Sequence, residues 1–549
     1  MSFYVNPVFK TDSYKLSHKG FMTEGTEAIY SNLTARNGKY LPVNHEDWDG
    51  KAVVYGTQAT VIKLIEMWDE HFFNRDKESV IEEIRGLFDA YLGKGAVPTE
   101  HFEELHDLGY LPIIVKALPE GSRVNIKVPM LTIRNTSPKF AWLTNYLETW
   151  LSASIWKMST VATIIAEYRK LTNTYAMETT GSIAGTEFQV HDFSYRGMSG
   201  GDEDPAMTGS AFLLSSCGTD NIPALPFIQY YYGTSPSDAL VGTSVPASEH
   251  SLASTGIAVE GELETYRRWI TKDYPSGIVS IIADTLDFFR VVTEFAKELK
   301  DDILNRTPNE LGLAKTVFRP DSGDPVKILT GYFVLDVDNG PYAEITGGMH
   351  KINIKEWACN AFGNKFDALL MNGKYWSFDD LDKELSEAEV KGAVQCLWDI
   401  FGGTTTEQGF NVLHERVGLI YGDSITLERA KQIFDRLKRK GFASVNVVLG
   451  VGSYTSQYLT RDSLGMAVKA TAAVVNGELY ALSKDPVTDD GTKKSAKGLL
   501  RVEKEGDDYV LYDQQTWEQE AEGELKPILI DGLLLNQQTF VDIRNRLWS

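Results

Sequence analysis

Five short apolar runs in this chain each end in a cluster of glycine, hydroxyl and charged side chains. With their polar ends, the runs span 188–197, 278–287, 316–325, 417–424 and 445–453. In α/β barrels, side chains at the carboxyl ends of successive parallel strands meet on one face and build an active site from separate loops. The pattern therefore predicts an enzyme built on an α/β barrel.

The composition argues against several other classes of protein. The net charge of -22 disfavours binding to a nucleic-acid backbone. The three cysteines, Cys217, Cys359 and Cys396, are widely spaced, which disfavours a disulfide framework or a cysteine-rich zinc site. Residues 1–19 lack the apolar core of a secretion signal, and no run approaches the length of a membrane span. We expect a cytoplasmic protein with neither nucleic-acid nor membrane partners.

The rhythm of the sequence divides the chain into three regions. Helical spacing at 58–71 and 80–92 alternates with strand-like runs at 113–117, 124–126 and 130–134, which indicates an α+β region. After residue 187 the pattern becomes strand, polar turn, helix, repeated. The predicted regions are an α+β part with packing helices (1–180), the barrel (181–483, with an insertion at about 328–384) and a tail that returns to the first domain (484–549).

The last strand-like run has the features of a phosphate-binding turn. A β-branched run at 445–449 leads into Gly450, Val451, Gly452 and Ser453, and a helical stretch containing Arg461 follows. Glycines let backbone N–H groups approach an anion, and an arginine adds a bidentate charge. Glycine turns also join many strands to helices, so a purely structural turn is the alternative.

Charged residues at the other strand ends indicate acid, base or sugar chemistry. His250 follows Glu249, and histidine is the natural proton carrier or nucleophile at neutral pH. Arg319 and Asp321 share a tight turn, and further carboxylates lie at 284, 287 and 423. One such carboxylate would be explained by turn or cap chemistry. Their repetition at successive strand ends favours ribose or Mg²⁺ binding.

A third group suits a flat heterocycle. A ring can stack on Phe193, with Arg196 near an anionic group and Asp220 accepting hydrogen bonds from an amide. Packing of Phe193 into the core is the alternative.

Together these motifs resemble the nicotinamide phosphoribosyltransferases, which are type II phosphoribosyltransferases. The matching segments, in the order of that family, are 12–15, 55–58, 142–145, 191–197, 218–220, 244–250, 319–323, 422–423, 459–462 and 484–486. The resemblance implies an irregular α/β barrel and a homodimer whose two active sites lie at the subunit interface. It also implies transfer of the phosphoribosyl group of phosphoribosyl pyrophosphate to nicotinamide.

The resemblance also assigns roles to individual residues. The nicotinamide ring would lie between Phe193 and the partner's Tyr14, with Asp220 on the carboxamide and Arg196 and Arg319 close by. The expected phosphoribosyl contacts are Asp321, Gly422 and Asp423 for ribose, and Gly452, Ser453, Arg461, Arg36 and Lys469 for the 5′-phosphate.

The implied co-reactants are ATP and Mg²⁺, with no prosthetic group. ATP would phosphorylate His250, with Glu249 and Asp287 as candidates to orient the imidazole. Mg²⁺ would arrive on the pyrophosphate, with Asp321 or Asp287 as candidates to hold it through water.

Three readings compete with this one. A nicotinate phosphoribosyltransferase would share the barrel and differ in the ring pocket, where Asp220 favours an amide over an acid. A glycosidase-like barrel would use paired carboxylates without a phosphate turn. A non-catalytic binding homologue is the third. Two positions depart from the family pattern: Ala283 stands where a serine is common, and Ser453 replaces a glycine.

Overall fold

An antiparallel sheet of seven strands forms the core of the first domain. The computed structural model describes residues 4–339, 341–422, 424–483 and 496–549. The strands, in spatial order, are Glu478–Ala481, Ala467–Val475, Thr26–Thr34, Pro129–Asn135, Ile113–Ala117, Lys526–Ile530 and Leu533–Leu534. Because Lys526–Ile530 pairs with Ile113–Ala117, the carboxyl-terminal tail returns to this domain. The Thr26–Thr34 strand near the middle of the sheet is an element that the sequence patterns did not reveal.

Helices surround both domains. The helices of seven residues or more within the described ranges are Thr57–Trp68, Lys77–Leu92, Glu100–Leu108, Glu148–Thr180, Glu203–Phe212, Ala224–Tyr232, His250–Glu260, Glu262–Arg268, Lys351–Phe362, Ala393–Phe401, Leu427–Arg439 and Phe540–Trp548. The longest, Glu148–Thr180, joins the two domains. Its Thr163 hydroxyl accepts a hydrogen bond from the Val53 N–H (2.9 Å), and its Tyr168 hydroxyl donates to the Ile425 carbonyl in the barrel (2.8 Å).

Six parallel strands form the barrel. In spatial order they are Gly218–Thr219, Val190–Asp192, Val447–Val451, Val417–Tyr421, Ala314–Arg319 and Gly277–Ile282. Five of them coincide with the apolar runs of the sequence. The sixth, Gly218–Thr219, has only two residues and was not anticipated.

An irregular segment spans the gap between the two edge strands. Thr243 bridges to Gly218 on one edge, and Ala247 bridges to Ser280 on the other. Backbone hydrogen bonds at both bridges, such as Thr219 N–H to Thr243 O (3.0 Å) and Ser280 N–H to Pro246 O (2.9 Å), close the curled sheet. The fold is therefore the irregular α/β barrel that the sequence predicts. Because its strands are parallel, their carboxyl ends all lie at one end of the barrel.

The inserted segment forms a small unit with its own core. Its four strands are Val334–Asp336, Ala368–Met371, Lys374–Ser377 and Glu384–Leu385. Leu335, Ile354, Leu369 and Phe378 are buried together between this sheet and the Lys351–Phe362 helix. The chain enters the unit at Gly331 and leaves it at Gly392, both with positive φ. A methyl group on either glycine would overlap the backbone at the other, so the two crossing segments touch directly.

A charged anchor fixes the insertion to the barrel. The Asp367 carboxylate is bonded to Lys327 and to Nη1 of Arg436 (2.6 Å). Arg436 lies in the last turn of Leu427–Arg439, a helix that runs back from the carboxyl end of its strand. The anchor therefore lies at the end of the barrel opposite to the polar turns.

Two helices of the barrel are capped by side chains at their first turn. Thr426 caps Leu427–Arg439 by accepting the Arg429 N–H, and Gly441 follows the basic end of that helix with a φ of +79°. Asp287 caps the short helix Phe288–Arg290. No helix in the described ranges is long and apolar enough to cross a membrane.

Candidate active site

A cavity of about 330 Å³ opens at the carboxyl ends of the parallel strands. Its lining side chains are Phe193, Tyr195, Arg196 and Asp220, and we call it the ring cavity. Phe193 directly follows the Val190–Asp192 strand, and its N–H donates to the Val451 carbonyl of the next strand (2.9 Å). The ring is fixed by the backbone at the mouth of the barrel, where one of its faces can stack on a planar ligand.

The glycine turn at 450–453, which the sequence analysis predicts to bind phosphate, lies directly beside this cavity. A Cβ atom on Gly450 would come within 2.9 Å of Cδ2 of Phe193 and would overlap the Tyr421 carbonyl. Only a glycine allows the three strand ends to approach this closely. The Ser453 side chain packs against Gly197, so the turn at Gly452 and Ser453 borders the turn that carries Arg196.

Asp220 accepts two hydrogen bonds on the same carboxylate oxygen. Nε2 of His191 lies 2.9 Å from Oδ1, and the Ser244 hydroxyl donates to Oδ1 at 2.6 Å. Burial alone would raise the pKa of Asp220, but these contacts and the nearby Arg319 hold it below its ordinary value. Asp220 is therefore ionised at neutral pH, and its side chain is 44% exposed toward the cavity mouth.

His250 is paired with Asp284, not with the residues that the sequence suggested. Nε2 of His250 lies 3.0 Å from Oδ1 of Asp284, whose side chain is 3% exposed. Glu249 instead accepts a hydrogen bond from Ser251, and Asp287 accepts the Arg290 N–H at a helix start (3.2 Å). The expectation that Glu249 and Asp287 orient His250 is thus replaced by Asp284.

Asp284 also ties His250 to the Asp321 turn. Its Oδ2 accepts the Asp321 N–H (2.8 Å) and the Ser322 hydroxyl (2.6 Å). Burial opposes ionisation of Asp284, but these donors and His250 lower its pKa overall. The Asp321 carboxylate in turn lies against Gly422 on the next strand end. Asp284 therefore couples the His250 segment to the Asp321 turn, and Asp321 extends the contacts to the strand end at Gly422.

Arg319 lies between the ring cavity and the His250 turn. Its Nη2 donates to the Ser248 carbonyl (2.7 Å), and its buried Nε finds no acceptor among the described residues. A buried guanidinium N–H without a partner is costly. A bound anion or carbonyl is the kind of ligand group that would satisfy it.

Tyr14, Arg36, Arg461 and Lys469 do not line the ring cavity. Tyr14 is 62% exposed. The Arg36 Nε donates to the Gly465 carbonyl (2.6 Å), and Lys469 is paired with Asn32 across the large sheet. Arg461 is 53% exposed, and its charge acts on Tyr14. Asp423 and the segment 484–486 lie outside the described residues.

The acidic groups near His250 do not form a metal cage. Within the described ranges, no set of three or more histidine, cysteine, aspartate or glutamate side chains has the geometry to hold a metal ion. Asp321 is exposed on its turn and Asp287 is occupied as a helix cap. Asp321 is therefore the better placed of the two to contact a hydrated Mg²⁺ that arrives with a ligand.

Asp284 and His191 help to build this site but were hard to select from the sequence. Asp284 and Asp287 are both carboxylates of one strand-end motif, but Asp287 precedes a helical run, which is the usual signal of a cap. Asp284 follows the strand directly and so points to the site. His191 pairs with a residue 29 positions away, which no local pattern reveals.

Comparison with known proteins identifies the family. The nicotinate phosphoribosyltransferase (NAPRTase) family matches residues 188–526. The nicotinamide phosphoribosyltransferase of Acinetobacter baylyi is 50% identical over 548 residues, covering 100% of this chain and 98% of that protein. The nicotinamide phosphoribosyltransferase of Mycoplasma pneumoniae is 29% identical over 508 residues, covering 89% and 93%.

A solved structure was also compared. The nicotinate-nucleotide pyrophosphorylase of Pyrococcus furiosus has a TM-score of 0.49 and 14% identity, covering 100% of this chain and 97% of that one. The family assignment depends on the sequence matches alone. From the match over 188–526 and the full-length identity of 50%, the chain belongs to the nicotinate phosphoribosyltransferase (NAPRTase) family, whose members are pentosyltransferases.

Proposed function

We propose that this protein transfers the phosphoribosyl group of phosphoribosyl pyrophosphate to nicotinamide, giving nicotinamide mononucleotide and pyrophosphate in NAD salvage. The observation that carries the proposal is the ionised Asp220 in the ring cavity. Both of its hydrogen bonds end on Oδ1, which leaves Oδ2 to accept from the NH₂ of a carboxamide. The identity with a relative named nicotinamide phosphoribosyltransferase supports the same substrate.

The transfer is a displacement at C1 of the ribose. Phe193 stacks on the nicotinamide ring and directs the ring nitrogen toward C1. The partner's Tyr14 covers the other face of the ring in a homodimer. As the bond to pyrophosphate breaks, positive charge develops on the ribose, and Asp321 stabilises it electrostatically. The exposure of Tyr14, 62% in the single chain, fits a residue that functions across a subunit interface.

The phosphates are held by the glycine turn and by basic residues. The backbone of Gly452 and Ser453 receives the 5′-phosphate together with Arg461, while Arg36 and Lys469 contribute from the interface. Asp423 with Gly422 contacts the ribose. Asp321 would hold the hydration shell of a Mg²⁺ ion, which would supply positive charge to neutralise the departing pyrophosphate.

ATP acts through His250. An imidazole whose Nε2–H donates to Asp284 keeps a lone pair on Nδ1. This nitrogen attacks the γ-phosphorus of ATP, the bond to the β–γ bridging oxygen breaks, and ADP leaves. The exposure of His250, 48%, leaves the ring accessible to a nucleotide. Hydrolysis of the phosphohistidine is coupled to synthesis. We place the reaction in the cytoplasm.

The principal alternative is a nicotinate phosphoribosyltransferase. Nicotinate would bring a carboxylate toward the negative charge of Asp220. Two charges about 6 Å apart at an effective dielectric constant of about 20 repel by about 3 kcal/mol. Membership of the family removes the glycosidase-like alternative.

The test compares nicotinamide with nicotinate, each with phosphoribosyl pyrophosphate and Mg²⁺, in the presence and absence of ATP. Products are separated by chromatography. The wild type and an Asp238→Asn control, changed in an exposed loop, should prefer nicotinamide by about 100-fold in kcat/KM. Asp220→Ser should reduce that preference to below about 10-fold. An unchanged preference in Asp220→Ser would contradict the assigned role, and a wild type active only on nicotinate would support the alternative.

A further inference from the structure

His191 is a buried histidine that the mechanism above does not use. It is 9% exposed and lies on the Val190–Asp192 strand beneath the ring cavity. Its ring centroid is 4.6 Å from that of Phe193, with 32° between the planes. Its Nδ1 lies 2.7 Å from the position that a Cβ on Gly218 would occupy. The imidazole is thus fixed on two sides, with Nε2 directed at Asp220.

Among the described residues, the elements around His191 carry six titratable or charged groups. The titratable or charged groups on the elements around His191 are Asp192 on its own strand, Tyr195 and Arg196 in the following turn, Cys217 and Asp220 beside the neighbouring strand, and Arg319 across the barrel mouth. The Val447–Val451 strand on the other side carries no titratable side chain. Asp192 is buried and accepts the Ser194 N–H (2.9 Å), and burial raises its pKa. The nearest carboxylate that faces the cavity is Asp220.

The charge of the pair depends on the protonation of His191. A neutral imidazole donates its Nε2–H to Asp220, and the pair carries one negative charge. A protonated imidazole makes the same hydrogen bond, and the pair is neutral overall. The hydrogen bond to Asp220 is the same in the two states, whereas the net charge that the pair presents to a ligand differs by one unit.

We propose that His191 is a positioning residue that makes the preference for amide over acid depend on pH. The inference rests on the proposed function. With His191 neutral, the negative pair repels nicotinate and leaves nicotinamide unaffected. With His191 protonated, that repulsion is largely cancelled. The ratio of kcat/KM for nicotinamide to that for nicotinate should therefore rise with pH.

The experiment measures this ratio from about pH 5.5 to about pH 8.5, the range in which imidazoles titrate. Taking the ratio cancels ionisations that affect both substrates equally, such as those of the shared phosphoribosyl donor. The wild type should gain about 10-fold in the ratio across the range. His191→Gln, whose amide can still donate to Asp220 but does not titrate, should change by less than about 2-fold.

The control is His106→Gln on the Glu100–Leu108 helix, where the imidazole contacts the Arg75 carbonyl (3.0 Å). It should keep the wild-type pH dependence. A flat ratio in the wild type, or an undiminished slope in His191→Gln, would overturn the inference. If His191→Gln does not fold, the wild-type profile alone decides. Failure of the proposed function is distinguishable, since the wild type would then form no nicotinamide mononucleotide at any pH.

Discussion

Replacing Asp284 by asparagine should remove most of the proposed stimulation by ATP while leaving slow synthesis. In the wild type, Oδ1 of Asp284 accepts from Nε2 of His250, and Oδ2 accepts from the Asp321 N–H and the Ser322 hydroxyl. An asparagine has only one oxygen. Because two donors occupy the Oδ2 side, the oxygen will remain there and the NH₂ will face His250.

The NH₂ of this asparagine can pair with His250 only as a donor. Nε2 of His250 must then accept, which moves the ring proton to Nδ1, the nitrogen that attacks ATP in the proposed mechanism. A hydrogen bond to a charged group contributes about 1.5–3 kcal/mol. A loss of that size in the phosphorylation step lowers its rate about 10- to 100-fold, at about 1.4 kcal/mol for each factor of ten.

The assay measures the initial rate of nicotinamide mononucleotide formation with and without ATP on the same preparation. Asp284→Asn should lose most of the stimulation and keep the ATP-independent rate within about 3-fold, since the ring cavity is untouched. Matched controls are Glu249→Gln and Asp287→Asn, the second of which retains helix capping. The reasoning would be refuted if ATP stimulated Asp284→Asn normally. It would also be refuted if the stimulation were lost in Glu249→Gln or Asp287→Asn but kept in Asp284→Asn.

Two further predictions concern packing and the insertion. Gly450→Ala should reduce kcat/KM for nicotinamide by at least about 10-fold and lower the melting temperature, because the added methyl meets Phe193 and the Tyr421 carbonyl. The control Gly86→Ala, at an open helix position, should be neutral or slightly stabilising. Asp367→Asn should lower the free energy of unfolding at pH 7 by about 1–3 kcal/mol. Burial would raise the pKa of Asp367, but Arg436 and Lys327 lower it overall. The stabilisation by the Asp367 carboxylate is therefore present above the ordinary pKa of about 3.9 and is lost as the pH falls through the lowered pKa. Thermal unfolding should therefore show the gap between wild type and Asp367→Asn narrowing below about pH 4; a gap independent of pH would contradict the anchor.

The sequence predicts the barrel better than it predicts the first domain. Buried parallel strands are continuous β-branched runs, and their polar ends are sharply marked, so five of the six were visible. Gly218–Thr219 is too short to carry any periodicity. The closing segment around Thr243 and Ala247 has bridges rather than a ladder, and it therefore has no strand pattern.

The site shows the same division between local and distant information. Phe193, Asp220 and Arg319 were selected because each lies at the end of a strand-like run or after a glycine turn. The structure places Phe193 and Asp220 in the lining of one cavity, with Arg319 close enough to lower the pKa of Asp220. The choice of Asp284 over Asp287 depends on where a strand ends and a helix begins, within three residues. Pairings such as that of His191 with Asp220 depend on strand order, which the sequence does not encode locally.

The contact between Gly331 and Gly392 bears on how much change this part of the chain can tolerate. Since the polypeptide departs from and rejoins the barrel at one point, the 60 residues between these glycines are topologically a side branch. A segment of different length or sequence can therefore be placed there without disturbing the order of the catalytic strands. The same spot is a natural place for an engineer to graft a fluorescent or affinity module onto the enzyme.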